Sequence, residues 1–195
     1  MTALFHSQKK DDKKVITVDT KTSIKEQFMK EYAKKDFSLI TVKGLCASTP
    51  VARTTFYAYF SNTDDVRVEI EDDILKGLSD MTDYISGGRL PDMDFSLYMD
   101  AVESYIKENW SYIYAFLVLQ PNLRFIRKWK DAIKLNFSRR YPDKQHIKNY
   151  DAIAEILAST MISAYTYWME HPDTSSTEEI KPIIEKLLDS LVSWL

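Results

Sequence analysis

The sequence predicts an all-α protein, and three observations support that prediction. Turn-forming residues are few, with 4 Gly and 6 Pro among 195 residues. Few segments alternate apolar and polar residues as strands do, whereas apolar residues recur at helical spacing through most of the chain. The composition, 45% hydrophobic and 28% charged, is ordinary for a globular protein, and the length suffices for one large or two small domains.

Charge is distributed unevenly along the chain. Residues 1–60 carry eleven Lys and Arg against six Asp and Glu, a net charge of +5. Residues 61–195 carry fifteen against twenty-three, a net charge of −8. A basic head on an acidic body is typical of a nucleic-acid binder with a separate second domain. The alternative is that surface charges cluster by chance.

Three further features bear on location. Cys46 is the single cysteine, so it forms no internal disulfide and completes no thiolate metal site, in agreement with a reducing compartment. The longest apolar run, Tyr112 to Leu119, is far shorter than the ~20 residues that cross a bilayer. The first residues, MTALFHSQKKDDKK, lack the apolar core of a signal peptide. We expect a cytoplasmic protein with no membrane partner.

The beginning of the chain predicts an arm and then a helix. Residues 1–20 are polar, rich in Lys and aperiodic, which is typical of a flexible basic arm. The stretch TKTSIKEQFMKEYAKKDF then predicts an amphipathic helix, with Ile24 and Phe28 on its apolar side. Thr22 or Ser23 can cap this helix.

Two short helices around a proline follow, in the stretch ITVKGLCASTPVARTTFYAYF at residues 40–60. Thr41 can cap the first of them, and Pro50 ends it because a residue before proline avoids the α region. Its predicted inward face consists of Val42, Leu45 and Cys46.

The helix after this turn has an unusual outer face. Val51 fills the turn, and from Ala52 onward Phe56 and Phe60 lie four apart and face inward. The outward side then carries Arg53, Thr54 and Tyr57 in place of the usual Glu and Lys.

The remaining segments also predict helices. A longer helix, 64–85, begins with Asp64 and Asp65, where negative charge suits the helix dipole. The stretch SGGRLPD at residues 86–92 then predicts a break and the best boundary for a second domain. The following helices are expected at 95–109, 110–119, 122–140, 145–170 and 177–194. The last two are apolar on more than one side, which indicates a subunit interface.

The stretch at residues 40–60 resembles the helix-turn-helix of the TetR/AcrR family of transcriptional regulators. The positions that match that motif are Ile40, Thr41, Val42, Leu45, Val51, Arg53, Thr55, Phe56, Tyr57 and Phe60. The order of helices extends the resemblance over nearly all of the chain, and YIKENWSYIYAFL with FIRKW resembles one subgroup of the family's ligand-sensing domains. The resemblance implies an arm (1–20), a helix-turn-helix domain (21–63) and a regulatory and dimerisation domain (64–195), with helix 64–85 linking the last two.

The resemblance also implies a role in DNA binding for this helix pair. The third helix would enter the major groove, with Arg53, Thr54 and Tyr57 near the base edges. Backbone phosphates would be held by neighbouring residues, and Lys9 to Lys14 of the arm would add salt-sensitive affinity. The implied DNA-binding set is Thr41, Lys43, Ala52, Arg53, Thr54, Thr55, Tyr57, Ala58 and Tyr59.

Some positions depart from the family pattern. Pro50 stands where a glycine is common, Ala52 replaces a frequent Ser, and Thr63 replaces a frequent Lys. The start of the fourth helix is also acidic, through Asp64, Asp65, Glu69, Glu71, Asp72 and Asp73. These departures predict weaker or altered DNA binding.

In the second domain, the resemblance implies an effector cavity and a dimer. Candidate cavity residues are Tyr105, Trp110, Tyr114, Phe125, Trp129, Tyr165 and Trp168, and ordinary core packing is the alternative for each of them. The last two helices would form a four-helix interface that spaces the recognition helices about 34–36 Å apart on a palindromic operator. The implied function is that of a homodimeric repressor released by a small-molecule effector. The alternative is an adaptor that acts through protein contacts.

The sequence offers little support for a third alternative, a helical enzyme. The three His residues are scattered without metal-ligand spacing, and no Gly-rich phosphate loop is present, so we expect no catalytic residue, metal or cofactor. The EIEDD cluster at residues 69–73 is interpreted as a solvated helix face rather than a cation site. The RFIRKWK stretch at residues 124–130 is interpreted as a solvent-facing basic stripe rather than a site for an acidic partner or an anionic ligand.

Overall fold

The computed structural model describes residues 20–86, 94–140 and 148–192, and all regular secondary structure in these ranges is helical. The predicted all-α class is therefore confirmed. The described residues form two compact units, with the boundary between Asp72 and Asp73.

The first unit contains three helices and the beginning of a fourth. Helix α1 spans residues 20–32, and a short 3-10 turn, Phe37–Leu39, precedes α2 at Val42–Ser48 and α3 at Arg53–Tyr57. Helix α4 is Thr63–Ser86. The core of this unit is apolar and aromatic, and its buried members include Ile24, Phe28, Tyr32, Leu45, Val51, Phe56, Phe60, Val66 and Ile70.

Local sequence signals predicted where these helices begin and end, with one exception. Thr22 and Ser23 lie inside α1, so the prediction that either caps it is wrong: the helix already includes residue 20. Thr41 does cap α2, since its side chain accepts a hydrogen bond from the Gly44 amide. The residue before Pro50 adopts extended backbone angles, φ −126° and ψ 151°, as a residue before proline prefers.

The boundary between the two units lies inside α4, the helix that was predicted to link the two domains, rather than at its start. Val66 and Ile70 on the first half of α4 are buried in the first unit, whereas Ile74 and Leu78 on the second half are buried in the second unit. The predicted break at 86–92 begins at the last residue of α4, Ser86, and its other residues lie outside the described ranges.

The second unit is a bundle of helices. Helix α5 is Phe95–Glu108, and α6, Trp110–Tyr114, continues into a π-helical segment at Ala115–Leu119. Helices α7, α8 and α9 are Leu123–Arg140, Tyr150–Glu170 and Thr177–Val192. Helix α8 packs against α7 and α9, and α9 packs against α5.

These bounds lie close to the predicted ones, apart from the start of α8. Part of the predicted beginning of that helix, residues 145–147, lies outside the described ranges, and α8 starts at Tyr150. Asn149 precedes it with a left-handed φ of 63°, a conformation that asparagine tolerates better than most residues and that does not continue a right-handed helix.

Candidate nucleic-acid interface

Helix α3 presents polar side chains to solvent on the side opposite its buried face. Phe56 is 0% exposed and Phe60 is 3% exposed, so the predicted inward pair is confirmed. The other residues of the predicted DNA-binding set on this stretch are fully or partly exposed, namely Ala52, Arg53, Thr54, Thr55, Tyr57, Ala58 and Tyr59. Because α3 is short, these groups form one small surface.

Tyr57 is the most prominent group on this surface. Its side chain is 57% exposed, yet its ring meets the buried Phe56 ring edge-on, with centroids 5.6 Å apart and an interplanar angle of 90°. Such aromatic pairs are favourable, so the contact restricts the orientation of the Tyr57 ring. A restricted ring loses less conformational entropy when its hydroxyl binds a partner.

The beginning of α2 adds two further groups. Thr41 Oγ1 accepts a hydrogen bond from the Gly44 amide at 3.1 Å. A threonine hydroxyl both accepts and donates, so Thr41 retains a proton to donate to a phosphate oxygen. Lys43 is exposed beside it, and α2 packs against α3. The structure thus brings α2 and α3 together, and the DNA-binding role of these residues stays a prediction. Lys9 to Lys14 of the arm lie outside the described residues.

Two residues of the acidic cluster on α4, Glu69 and Glu71, lie close to basic residues of the first unit, so the interpretation as a solvated face is wrong for them. Asp72 and Asp73 are exposed, as that interpretation expected. Glu69 accepts from Lys21 and Lys25 of α1, both at 2.6 Å. Burial alone would raise the pKa of Glu69, but hydrogen bonds from these two lysines lower it overall. Glu71 is 0% exposed, with Arg67 Nε 4.0 Å from its carboxylate.

Sequence reasoning missed this pairing because it joins segments more than forty residues apart. Lys21 and Lys25 stand four apart on α1, which places them on the same face of that helix and was the available signal. The consequence concerns DNA binding directly: Glu69 and Glu71 oppose phosphates less than the sequence alone indicates, because their charges are neutralised nearby.

The N-terminus of α4 is capped by side chains near its start. The Asp65 amide donates to the Asn62 side chain at 3.0 Å, and the Ser61 amide donates to the Asp65 carboxylate at 2.8 Å. Asn62 thus caps the helix, and the arrangement differs from a capping box in that the Asp65 carboxylate accepts from the amide of Ser61, one residue before the cap. Thr63 donates a hydrogen bond to the Ile40 carbonyl at 3.4 Å, so it ties the start of α4 to the segment before α2.

The seven aromatic residues predicted to line an effector cavity belong mostly to the packed interior of the second unit. Phe125, Trp129, Tyr165 and Trp168 are buried. The Phe125 and Trp129 rings lie 5.6 Å apart, and Trp129 stacks on Tyr165 at 6.0 Å. Their role in binding a ligand stays a prediction.

The other three aromatic residues are partly exposed. Trp110 stacks on Tyr114 with centroids 6.0 Å apart, and its ring meets Trp168 edge-on at 5.2 Å. The Tyr105 hydroxyl donates to the backbone carbonyl of Ile74 at 2.9 Å. These contacts agree equally with the core-packing alternative.

The basic stretch on α7 is tied to α8, and the interpretation as a purely solvent-facing stripe is wrong in part. Lys130 forms an ion pair with Glu155 of α8, and neighbouring Lys134 donates to the same carboxylate at 3.0 Å. These two lysines lower the pKa of Glu155 to about 2. Arg127 on the same helix is exposed, as predicted.

Helix α8 also carries an open groove of about 550 Å³. Its lining residues are Glu155, Ile156, Ser159, Thr160, Ser163 and Ala164, none of which belongs to the predicted cavity set. Within the described ranges no cluster of His, Cys, Asp or Glu has the arrangement of a metal site. No helix in those ranges is long and apolar enough to cross a membrane.

This arrangement of helices is shared with a solved regulator. The TetR transcriptional regulator from Streptococcus agalactiae 2603V superposes with a TM-score of 0.67 at 20% identity, over 90% of this chain and 96% of that chain. The chain has the TetR fold. The dihydroxyacetone kinase operon activator DhaS also superposes, with a TM-score of 0.55 at 14% identity over the same shares. No family model matches the sequence, and neither does any curated protein. In the TetR fold of this chain, α2 and α3 are the helices at residues 42–57 that the sequence motif marks.

Proposed function

We propose that this chain is a homodimeric, DNA-binding transcriptional regulator controlled by a small-molecule effector. The exposed polar face of α3 is the observation that carries the proposal. Arg53 can fork onto a guanine, and Thr54 and Tyr57 can donate to base or phosphate oxygens. Thr41, Lys43, Thr55 and Tyr59 would hold phosphates, which fixes the register of the protein on the duplex. The TetR fold supports this assignment.

The dimer would form through α8 and α9. Both helices carry large apolar side chains that are about half exposed, namely Ile156, Tyr167, Ile183 and Leu187. Exposed apolar groups of this kind on neighbouring helices favour association. The α8 groove beside Ile156 offers space for side chains of a second copy. A twofold dimer presents two α3 helices to a palindromic operator.

The sign of regulation has two candidates. Our first proposal is repression: an effector that binds among the aromatic residues of the second unit would release the protein from DNA. The fold shared with DhaS, whose name describes an operon activator, favours activation as the second candidate. In either case we assign the protein to the cytoplasm and give it no catalytic role.

The test is a gel-shift titration on a duplex that the wild-type protein enriches from a random library. Arg53→Ala should weaken binding roughly 5- to 150-fold, since a base contact of this kind contributes about 1–3 kcal/mol. Tyr57→Phe should weaken it less, because only the hydroxyl is lost. Arg127→Ala and Tyr84→Phe are matched controls at exposed positions of the second unit. Unchanged affinity in both α3 variants would contradict the proposal.

A salt series separates this function from that of an adaptor. A DNA-binding regulator should lose affinity for random duplex steeply as salt rises, because phosphate contacts release counterions. An adaptor acting through protein contacts should bind duplex weakly at every salt concentration.

A further inference from the structure

Tyr105 of α5 reaches the backbone of α4 across a glycine. Its hydroxyl donates to the Ile74 carbonyl at 2.9 Å. A Cβ atom on Gly77 would lie 2.2 Å from the hydroxyl oxygen and 2.7 Å from two carbons of the ring. The Tyr105 ring can therefore occupy this position only because residue 77 lacks a side chain.

Glycine at position 77 lowers the intrinsic stability of helix α4. Gly77 lies in the interior of the 24-residue helix α4, where glycine is about 1 kcal/mol less favourable than alanine. Helix propensity alone would therefore disfavour glycine here. The gain lies in the close approach of α5, which brings a side-chain hydroxyl onto a backbone carbonyl.

The contact lies just beyond the boundary between the two units. Ile74 and Gly77 belong to the second unit, and α4 continues without a break toward Thr63 in the first unit. Val66 and Ile70 on that first part are buried residues of the first unit. Helix α4 therefore carries residues of both units, and a rigid secondary-structure element of this kind is one route by which two sites can be coupled.

Tyr105 keeps its proton under the conditions in which the contact matters. Burial raises the pKa of its hydroxyl, and the charges of Asp73, Asp80 and Glu108 raise it further. The hydroxyl is therefore a donor throughout the neutral range.

We propose that Tyr105 and Gly77 form a latch that holds α5 on α4 and sets the position of α4 for the DNA-binding unit. A change in the second unit that moves α5 would withdraw the hydroxyl from Ile74, free α4 and change the affinity for DNA. The last step rests on the proposed function, whereas the latch itself can be measured without DNA.

The first test is hydrogen–deuterium exchange of the full chain without DNA, comparing wild type with Tyr105→Phe. Loss of one hydrogen bond should speed exchange about fivefold, and the effect should extend over both halves of α4, residues 63–72 and 73–86. Tyr84→Phe, at the most exposed tyrosine of α4, is the matched control and should leave exchange unchanged. Acceleration confined to residues 74–78, or none, would overturn the latch.

A second variant separates the latch from helix propensity. Gly77→Ala should speed exchange along α4, although alanine favours the helix, because the new Cβ displaces the Tyr105 ring. In a Tyr105→Leu background, which lacks those ring atoms, Gly77→Ala should instead slow exchange by about fivefold. The same direction of change in both backgrounds would overturn the proposal.

The regulatory step is tested on the duplex that wild type enriches. Tyr105→Phe should change the dissociation constant for this duplex at least threefold relative to wild type. Tyr84→Phe should leave that dissociation constant unchanged. Altered exchange along α4 with unaltered affinity would overturn the regulatory role of the latch. If wild type enriches no duplex, the proposed function fails, and the exchange data still decide whether the latch exists.

Discussion

The guanidinium of Arg67 lies 3.7 Å from the centre of the Phe37 ring. The same group donates to Asp64 at 2.6 Å and lies 4.0 Å from the buried Glu71. The aromatic contact therefore links the first turns of α4 to the segment before α2, whereas both carboxylate partners of Arg67 lie on α4 itself. An arginine combines these roles because its planar cation both stacks on rings and donates in several directions.

Arg67→Met should destabilise the first unit. The substitution keeps an apolar stem but removes the cation from a fully buried carboxylate, so we expect a loss of about 3 kcal/mol in the free energy of unfolding. Urea denaturation measures it, with the exposed Arg53→Met as the matched control. Adding Glu71→Met should recover part of the loss. Equal stability of Arg67→Met and the control would contradict this account.

Two substitutions at helix caps should act in opposite directions. Thr41→Ala removes the acceptor for the Gly44 amide and should cost about 1 kcal/mol. Ala52 precedes α3 without a side-chain cap, so Ala52→Ser should stabilise by about 0.5–1 kcal/mol. Thermal or urea unfolding measures both, and Thr41→Ser, which retains the hydroxyl, should behave as wild type. A stabilising Thr41→Ala would refute the assignment of the cap.

Glu103 should make the stability of the second unit depend on pH. Burial would raise the pKa of this carboxylate, but hydrogen bonds from Lys107, Lys181 and Thr177 lower it to about 2 from 4.5. A lowered pKa in the folded state contributes stability that is complete above about pH 4.5 and is lost as the pH falls toward about 2. Glu103→Gln should therefore lower the free energy of unfolding by about 2 kcal/mol at neutral pH, and by progressively less as the pH falls.

Urea titrations at several pH values measure this difference. Glu108→Gln, at an exposed position on the same helix, is the control and should stay near wild type throughout. If Glu103→Gln lowers the free energy of unfolding by the same amount from neutral pH to about pH 3, the ionised Glu103 carboxylate does not hold α9 to α5.

Ile156→Asp should weaken the proposed dimer. The side chain is 53% exposed beside the α8 groove, so an aspartate there leaves the monomer folded but places a charge in the interface. Sedimentation velocity should show a dimer for wild type and a monomer for the variant. Leu135→Asp, on α7 with similar exposure, should remain dimeric. A dimer that persists in Ile156→Asp would move the interface elsewhere.

Local signals predicted most of the fold. Pro50 ended α2, Thr41 capped it, and the spacing of Phe56 and Phe60 gave the buried face of α3, because each depends on neighbours within one or two turns. The outward side chains of α3 follow from the same periodicity. The first cap was placed wrongly, since several adjacent Thr and Ser residues can serve and nothing local selects among them.

Contacts between distant segments could not be predicted in the same way. From the sequence, Glu69 is predicted to be a surface acid, but in the fold it pairs with Lys21 and Lys25 of α1. Glu155 likewise pairs with Lys130 and Lys134 of another helix. The sequence predicted that this helix links the two units, but not that the boundary lies between Asp72 and Asp73, because a continuous helix carries no break in its pattern. Each of these features depends on which helices meet, information that periodicity does not contain.

The π-helical segment at Ala115–Leu119 is a place where the chain should tolerate the deletion of one residue. Its wider turn is closed by bonds such as Gln120 N to Ala115 O at 3.0 Å, and Ala115, Phe116 and Leu117 are buried in succession. A π turn accommodates one more residue than an α turn. Deleting one residue here should therefore leave an ordinary α turn that continues α6 up to the connection at residues 120–122. The same deletion inside α8 would rotate every later side chain by about 100°.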